Sequence, residues 1–178
     1  MKKLLTVFVF LFWLVSIASA GELITGAFGI KLGEPLDLNL VQSEIVDETD
    51  CGVFLICNTR WGRPQAVRPK ITNKLFHSYF VFLTPTTKTV TRILAYGSDR
   101  YCESQFQGVK GVLEEKYGNH LIMTPNLFVW SDKKGRVLLS CTDITEYRGL
   151  LLEYRLREEE RNEILLKERT KLSDPSGL

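Results

Sequence analysis

Tyr79-Phe-Val-Phe-Leu-Thr84, Pro85-Thr-Thr-Lys88 and Thr89-Val-Thr-Arg-Ile-Leu-Ala-Tyr96 follow one another without a break. The first stretch is aromatic and β-branched, the second holds turn formers, and the third returns with Val90, Ile93 and Leu94 as apolar positions. This pattern predicts a β-hairpin. Working outward, Gly97-Ser98-Asp99 closes the second strand and offers Ser98 or Asp99 as a helix cap. Cys102, Phe106, Val109, Leu113 and Tyr117 then recur at helical spacing and predict one apolar face, stopping at Gly118. Gly108 and Gly111 weaken that helix by up to ~1 kcal/mol each relative to Ala, unless they allow close approach to a sheet.

A second hairpin is predicted from Leu127 to Ser131, the turn Asp132 to Gly135, and Arg136 to Thr142. Gly149 to Tyr154 adds a strand through Leu150, Leu152 and Tyr154. Residues 155–171 have helix-forming composition with opposing charges and a sparse apolar set of Leu156, Ile164 and Leu165. Glu163 and Lys167 form a favourably ordered i, i+4 pair within it. This stretch reads as a solvated, frayed tail, with a partner-docking helix as the alternative. Consecutive hairpins around one amphipathic helix give an α+β fold: a mainly antiparallel sheet of about five or six strands, covered by that helix, with a charged C-terminal helix beyond it.

The N-terminal stretch bears on compartment. Lys2 and Lys3 precede an apolar run from Leu4 to Ile17, and Ala18-Ser19-Ala20 supplies a small-residue cleavage site. These are the parts of a secretory signal. The expected organisation is a signal peptide at 1–20, an α+β domain at 21–154 and a charged helical tail at 155–178. The expected location is periplasmic or secreted, with no membrane span after cleavage; an uncleaved N-terminal anchor is the alternative. Removing the signal leaves 158 residues, enough for one domain with a core. It also removes two lysines, so 21 basic residues face 21 acidic ones. A formally neutral chain gives no argument for nucleic acid as a partner.

Cys51, Cys57, Cys102 and Cys141 form an even set in an oxidising compartment, which reads as disulfides. If Gly52 to Ile56 is extended, Cys51 and Cys57 lie roughly 20 Å apart, beyond the ~4.4–6.8 Å that a disulfide accepts. Cys102 with Cys141 is the favoured pair, leaving Cys51 with Cys57 as the residual one. With no CxxC pair, and with His77 and His120 far apart in sequence, no metal or other cofactor is expected.

Charge is segregated around the strand candidate Val53 to Ile56. Residues 34–50 carry only acidic charges, and 58–74 carry only basic ones: Arg60, Arg63, Arg68, Lys70 and Lys74. The basic stretch also holds Trp61, Pro64 and Pro69, and is read as a long surface loop. Arg60, Trp61, Arg63, Arg68 and Lys70 are therefore the candidate contacts for an anionic envelope polymer or a protein partner. The competing reading sets them against their acidic neighbours on the same surface.

Gly-Ala-Phe-Gly-Ile-Lys-Leu-Gly at 26–33 alternates like a half-buried strand bounded by turn glycines, and lacks the Lys-Ser or Lys-Thr of a phosphate-binding loop. Together with Val-Phe-Leu-Thr-Pro-Thr-Thr-Lys-Thr-Val-Thr-Arg-Ile at 81–93, Glu-Lys-Tyr-Gly at 115–118 and Leu-Glu-Tyr at 152–154, this segment resembles a group of small uncharacterised exported bacterial proteins. The resemblance implies export and a single α+β domain, and implies no catalytic residue.

Catalysis finds little support in the residues. His77 reads as a structural imidazole at the sheet edge, and His120 as an exposed residue of a post-helix turn. There is no GxSxG elbow, and the carboxylates at 44–50 sit in a polar stretch without apolar surroundings to raise a pKa. The expectation is a non-catalytic binding or assembly module of the bacterial envelope. The alternatives are a secreted inhibitor or immunity-type protein and an envelope hydrolase.

Overall fold

The computed structural model describes residues 21–43, 64–98, 102–144 and 147–173. The fold is α+β. Among the described residues its main sheet has eight strands in the order β3-β4-β5-β6-β10-β9-β8-β7, every pairing antiparallel. These strands are β3 (Val41–Ser43), β4 (Pro64–Val67), β5 (Ser78–Leu83), β6 (Val90–Ser98), β7 (Leu121–Thr124), β8 (Leu127–Ser131), β9 (Gly135–Ile144) and β10 (Tyr147–Leu156). Among the described residues two α-helices, α1 (Cys102–Tyr117) and α2 (Glu158–Ser173), accompany it, with a small hairpin of β1 (Gly26–Ala27) and β2 (Ile30–Lys31).

Eight strands exceed the five or six expected. The additional ones, β3, β4 and β7, are three or four residues long and lack an alternating pattern of their own. Pro64–Val67 was expected inside a loop, but pairs with β5 on one side and β3 on the other. The segment at 26–33 is two short strands rather than one, because Phe28 and Gly29 both take positive φ, 57° and 77°, and reverse the chain between β1 and β2. Such a two-residue turn matches the twist of its strands. Ser98 belongs to β6, paired with Gly149. Asp99 lies outside the described residues.

Alternation along the strands divides the side chains cleanly. Tyr79, Val81, Ile93, Ala95, Val137, Leu139, Leu150, Leu152 and Tyr154 join the main core, with Phe128 and Trp130 from β8. Over this face α1 packs on β9 and β10, burying Cys102, Phe106 and Leu113, with Val109 and Tyr117 half-buried. Ile24, Ile30 and Leu36 of the N-terminal segment extend the same core. Phe28 sets its ring edge-on to Tyr79 at 4.9 Å and to Phe76 at 5.8 Å. The helix ends where expected: Gly118, at φ 76°, donates its N–H to Glu114. Trp130 Nε1 donates to the Gly118 carbonyl at 3.1 Å, fastening the helix end to β8.

The opposite face is not free, as one covered face would leave it. Phe80, Phe82 and Leu94 form a second buried cluster with Ala66 and Leu151 against it, and Phe82 and Leu94 are fully inaccessible. Beside this cluster lies a buried ion pair, Arg92 Nη2 to Glu153 Oε2 at 2.7 Å, with the Arg92 guanidinium 4.7 Å from the centre of the Phe82 ring.

Cys102 and Cys141 are joined by a disulfide, their Cα atoms 5.7 Å apart. It ties the first residue of α1 to β9. Cys51 and Cys57 lie outside the described residues, as does the strand candidate Val53 to Ile56.

The charged C-terminal segment differs most from expectation. β10 runs on to Leu156, which is buried, so the boundary drawn after Tyr154 falls inside a strand. α2 is not simply a solvated tail: Glu168 is buried and receives hydrogen bonds from the Thr84 hydroxyl, the Thr87 hydroxyl and the Thr87 N–H. Burial opposes ionisation of this carboxyl, but those bonds and one from the Thr86 backbone outweigh it, holding its pKa below the usual glutamate value. The rest of the helix keeps a solvated surface, including the Glu163–Lys167 pair at 2.6 Å.

Three outcomes follow for stability. Gly108 and Gly111 are exposed with open space around the position of a Cβ, so they do not serve close packing; Gly108→Ala and Gly111→Ala should each raise stability by about 0.5–1 kcal/mol in urea denaturation. The disulfide closes a separation of 39 residues, so the Cys102→Ser/Cys141→Ser variant should lose about 2–4 kcal/mol in the same assay. Glu168→Gln should cost about 1–2 kcal/mol at neutral pH. A depressed folded-state pKa stabilises above the unfolded value and ceases to do so as pH falls through the folded one. The gap between wild type and Glu168→Gln should therefore shrink as pH falls below about 4.3, the unfolded glutamate value.

Candidate functional site

The connection between β4 and β5 holds the described part of the basic stretch, and local hydrogen bonds shape it. The Arg68 N–H donates to the Leu40 carbonyl at 2.7 Å, tying its start to the 3₁₀ turn Leu38–Leu40. Asn73 accepts from the N–H of Leu75 through its side chain and from that of Phe76 through its carbonyl. The Tyr79 hydroxyl reaches back from β5, accepting from the Asn73 N–H at 2.9 Å and donating to the Asn73 carbonyl at 3.2 Å. His77 N–H donates to the Tyr96 carbonyl, delivering the chain into β5. A buried tyrosine thus holds the bend from within.

This bend encloses a cleft of about 320 Å³. Val67, Phe76 and Tyr79 are buried apolar side chains of its lining, while Arg68, Lys74 and His77 are exposed along it. Among the described residues no carboxylate contributes to the lining. A concave surface with cationic side chains, an imidazole and an apolar floor suits a ligand that combines negative charge with apolar or ring surface.

Lys70 points to a different place. Its Nζ lies 3.2 Å from Asp37 Oδ2, across a second depression of about 180 Å³ that also holds Lys31 and Glu34, themselves paired at 3.2 Å. The Lys70 hydrogen bond, aided by the Asn39 N–H and side chain, lowers the Asp37 pKa. For Lys70 the acidic stretch is therefore the neighbour it meets. Arg60, Trp61 and Arg63 lie outside the described residues, so of the five sequence candidates the structure places Arg68 at the cleft and Lys70 beside it. Lys74 and His77 join Arg68 there through the turn at Asn73. His77 is exposed at the start of an interior strand, its ring 5.2 Å from that of Tyr96, rather than at the edge of the sheet.

His120 also departs from expectation. Its side chain is only 12% exposed, its ring lying 4.7 Å from that of Phe128 and 5.3 Å from that of Trp130. Nδ1 is 3.1 Å from Glu114 Oε1 without the alignment of a hydrogen bond. Lys110 holds the same carboxylate at 2.7 Å, and this bond lowers the Glu114 pKa. An imidazole beside a carboxylate can carry a proton, but this one is packed on aromatic rings, and neither of the clefts at Lys70 and Lys74 reaches it. Among the described residues no group of three or more His, Cys, Asp or Glu side chains could hold a metal ion, and no helix is long and apolar enough to cross a membrane.

Comparison with protein-family models gives no match, and no curated protein or solved structure matches the chain.

Proposed function

We propose that this chain is an exported, non-catalytic binding or assembly module of the bacterial cell envelope, and that the cleft between β4 and β5 holds an anionic group of its partner, an envelope polymer or a protein. The observation that carries this reading is the lining of that cleft: Arg68, Lys74 and His77 over an apolar floor, with no carboxylate among the described residues. Asp37, a carboxylate of the acidic stretch, is engaged by Lys70 in the adjacent depression rather than at the cleft. The disulfide between Cys102 and Cys141 supports export, because such a bond persists in an oxidising compartment.

The test is affinity capture from the native envelope with the wild-type protein and with Arg68→Ala/Lys74→Ala, followed by mass spectrometry and polymer analysis of what is retained. Recovery by the wild type should fall as salt rises, as expected for charge contacts at an exposed site, and recovery by the double variant should be at least about tenfold lower, the equivalent of ~1.4 kcal/mol. Equal recovery by the two proteins would reject the cleft as the contact. Trp61→Ala and Arg60→Ala/Arg63→Ala variants in the same capture test the remainder of the basic stretch.

A further inference from the structure

β7 closes one edge of the main sheet. It is hydrogen-bonded to β8 on one side, and the main-chain groups of Leu121–Thr124 that face away from β8 have no partner among the described residues. The side chains are as open as the backbone: Leu121, Ile122 and Met123 are 65%, 69% and 63% exposed. Edge strands are ordinarily blunted by charge, proline or irregularity. Here the strand is short and carries a bulge against β8 between Ile122 and Thr124, but neither a charge nor a proline lies within it.

A row of unpaired N–H and C=O groups is complemented by another extended strand, which settles the chemistry of the partner. We infer that β7 pairs with β7 of a second copy of this chain, antiparallel about a two-fold axis perpendicular to the sheet, so that two eight-stranded sheets join edge to edge. The self-match is what selects a second copy. An isologous pairing centred on Ile122 sets Ile122 opposite Ile122, Leu121 opposite Met123 and His120 opposite Thr124. Every strongly exposed apolar side chain of the strand then meets an apolar neighbour, and no like charges face each other. A strand of four residues buries less than the ~800 Å² per partner of a standard interface, so the association is weak and concentration-dependent.

Sedimentation velocity on protein expressed from the full-length chain tests this between about 1 and 500 µM, the range in which a weak dimer forms. The weight-average mass should rise from that of one copy to that of two. Ile122→Lys places two ammonium groups across the two-fold axis and should hold the protein monomeric over the whole range, with an unchanged far-UV circular dichroism spectrum. If that spectrum changes, Leu121→Lys gives the same reading from the neighbouring position. A wild type that stays monomeric throughout, a dimer that survives both substitutions, or a monomer that instead captures a strand of different sequence would overturn the inference.

Discussion

The pairing of β6 with β10 is the constraint on which the remainder of the fold depends. Strands β3 to β6 and strands β7 to β10 are two runs of sequence neighbours, each built through antiparallel pairings between consecutive strands. Among the described residues, only the ladder from Gly149 opposite Ser98 to Arg155 opposite Arg92 joins them into one sheet. Local turns cannot set this register, because the two strands are separated by α1 and three further strands. Side chains set it instead. Arg92 and Arg155 face each other across the ladder, and Glu153 lies within 2.7 Å of the first and 3.6 Å of the second. A slip of one residue would exchange the faces, turning Glu153 into the face of Ile93 and Ala95 and bringing Leu152 out of it. Losing one partner of a buried ion pair costs about 3–5 kcal/mol, whereas the intact pair contributes little net stability, so the pair penalises a slipped register more than it strengthens the native one.

Once the two runs are joined, the helices have their places determined by single anchored ends. α1 connects β6 to the far edge of the sheet, so it must cross the core face, and its first residue is covalently held to β9 while its last turn is held by Trp130. α2 leaves β10 at the end of the sheet where the β5–β6 turn also lies, and Glu168 finds the Thr84 and Thr87 groups there. Three hydrogen-bond donors gathered in one tight turn make a site that only an anionic or strongly accepting side chain satisfies, so a helix with few apolar residues can still be fixed in position.

How much of this was legible in the sequence depended on whether the signal was local. The hairpins β5–β6 and β8–β9, the apolar face of α1 and its glycine stop each carry their period and punctuation within a dozen or so residues, and all appear at the positions their sequences indicate. β3, β4 and β7 carry no period, because their pairing is dictated by neighbours already in the sheet. Phe28 has the alternation of a strand residue in sequence for a similar reason. Its left-handed backbone is tolerated because the ring is held among Phe76, Tyr79 and Tyr154, contacts that no window around position 28 contains. Glu168 looked like one more charge on a solvated helix, and only the approach of a turn 81 residues earlier in the chain made it a buried ligand of hydroxyl and amide groups.

The candidate site was half legible on the same logic. Segregation of charge between 34–50 and 58–74 was visible as composition, but composition treats Arg68, Lys70 and Lys74 alike. The fold separates them. Asp37 caps the 3₁₀ turn through the Asn39 N–H, and a carboxylate so placed meets Lys70 across the depression beside β2. The bend held by Tyr79 carries Lys74 the other way, into the cleft with Arg68 and His77. A tyrosine hydroxyl bonded to both main-chain groups of one residue fixes the bend that sets Lys74 and His77 beside Arg68 and away from the Lys70–Asp37 pair. The identity of a binding surface here thus resides as much in the uncharged residues that shape the loop as in the charged ones that line it.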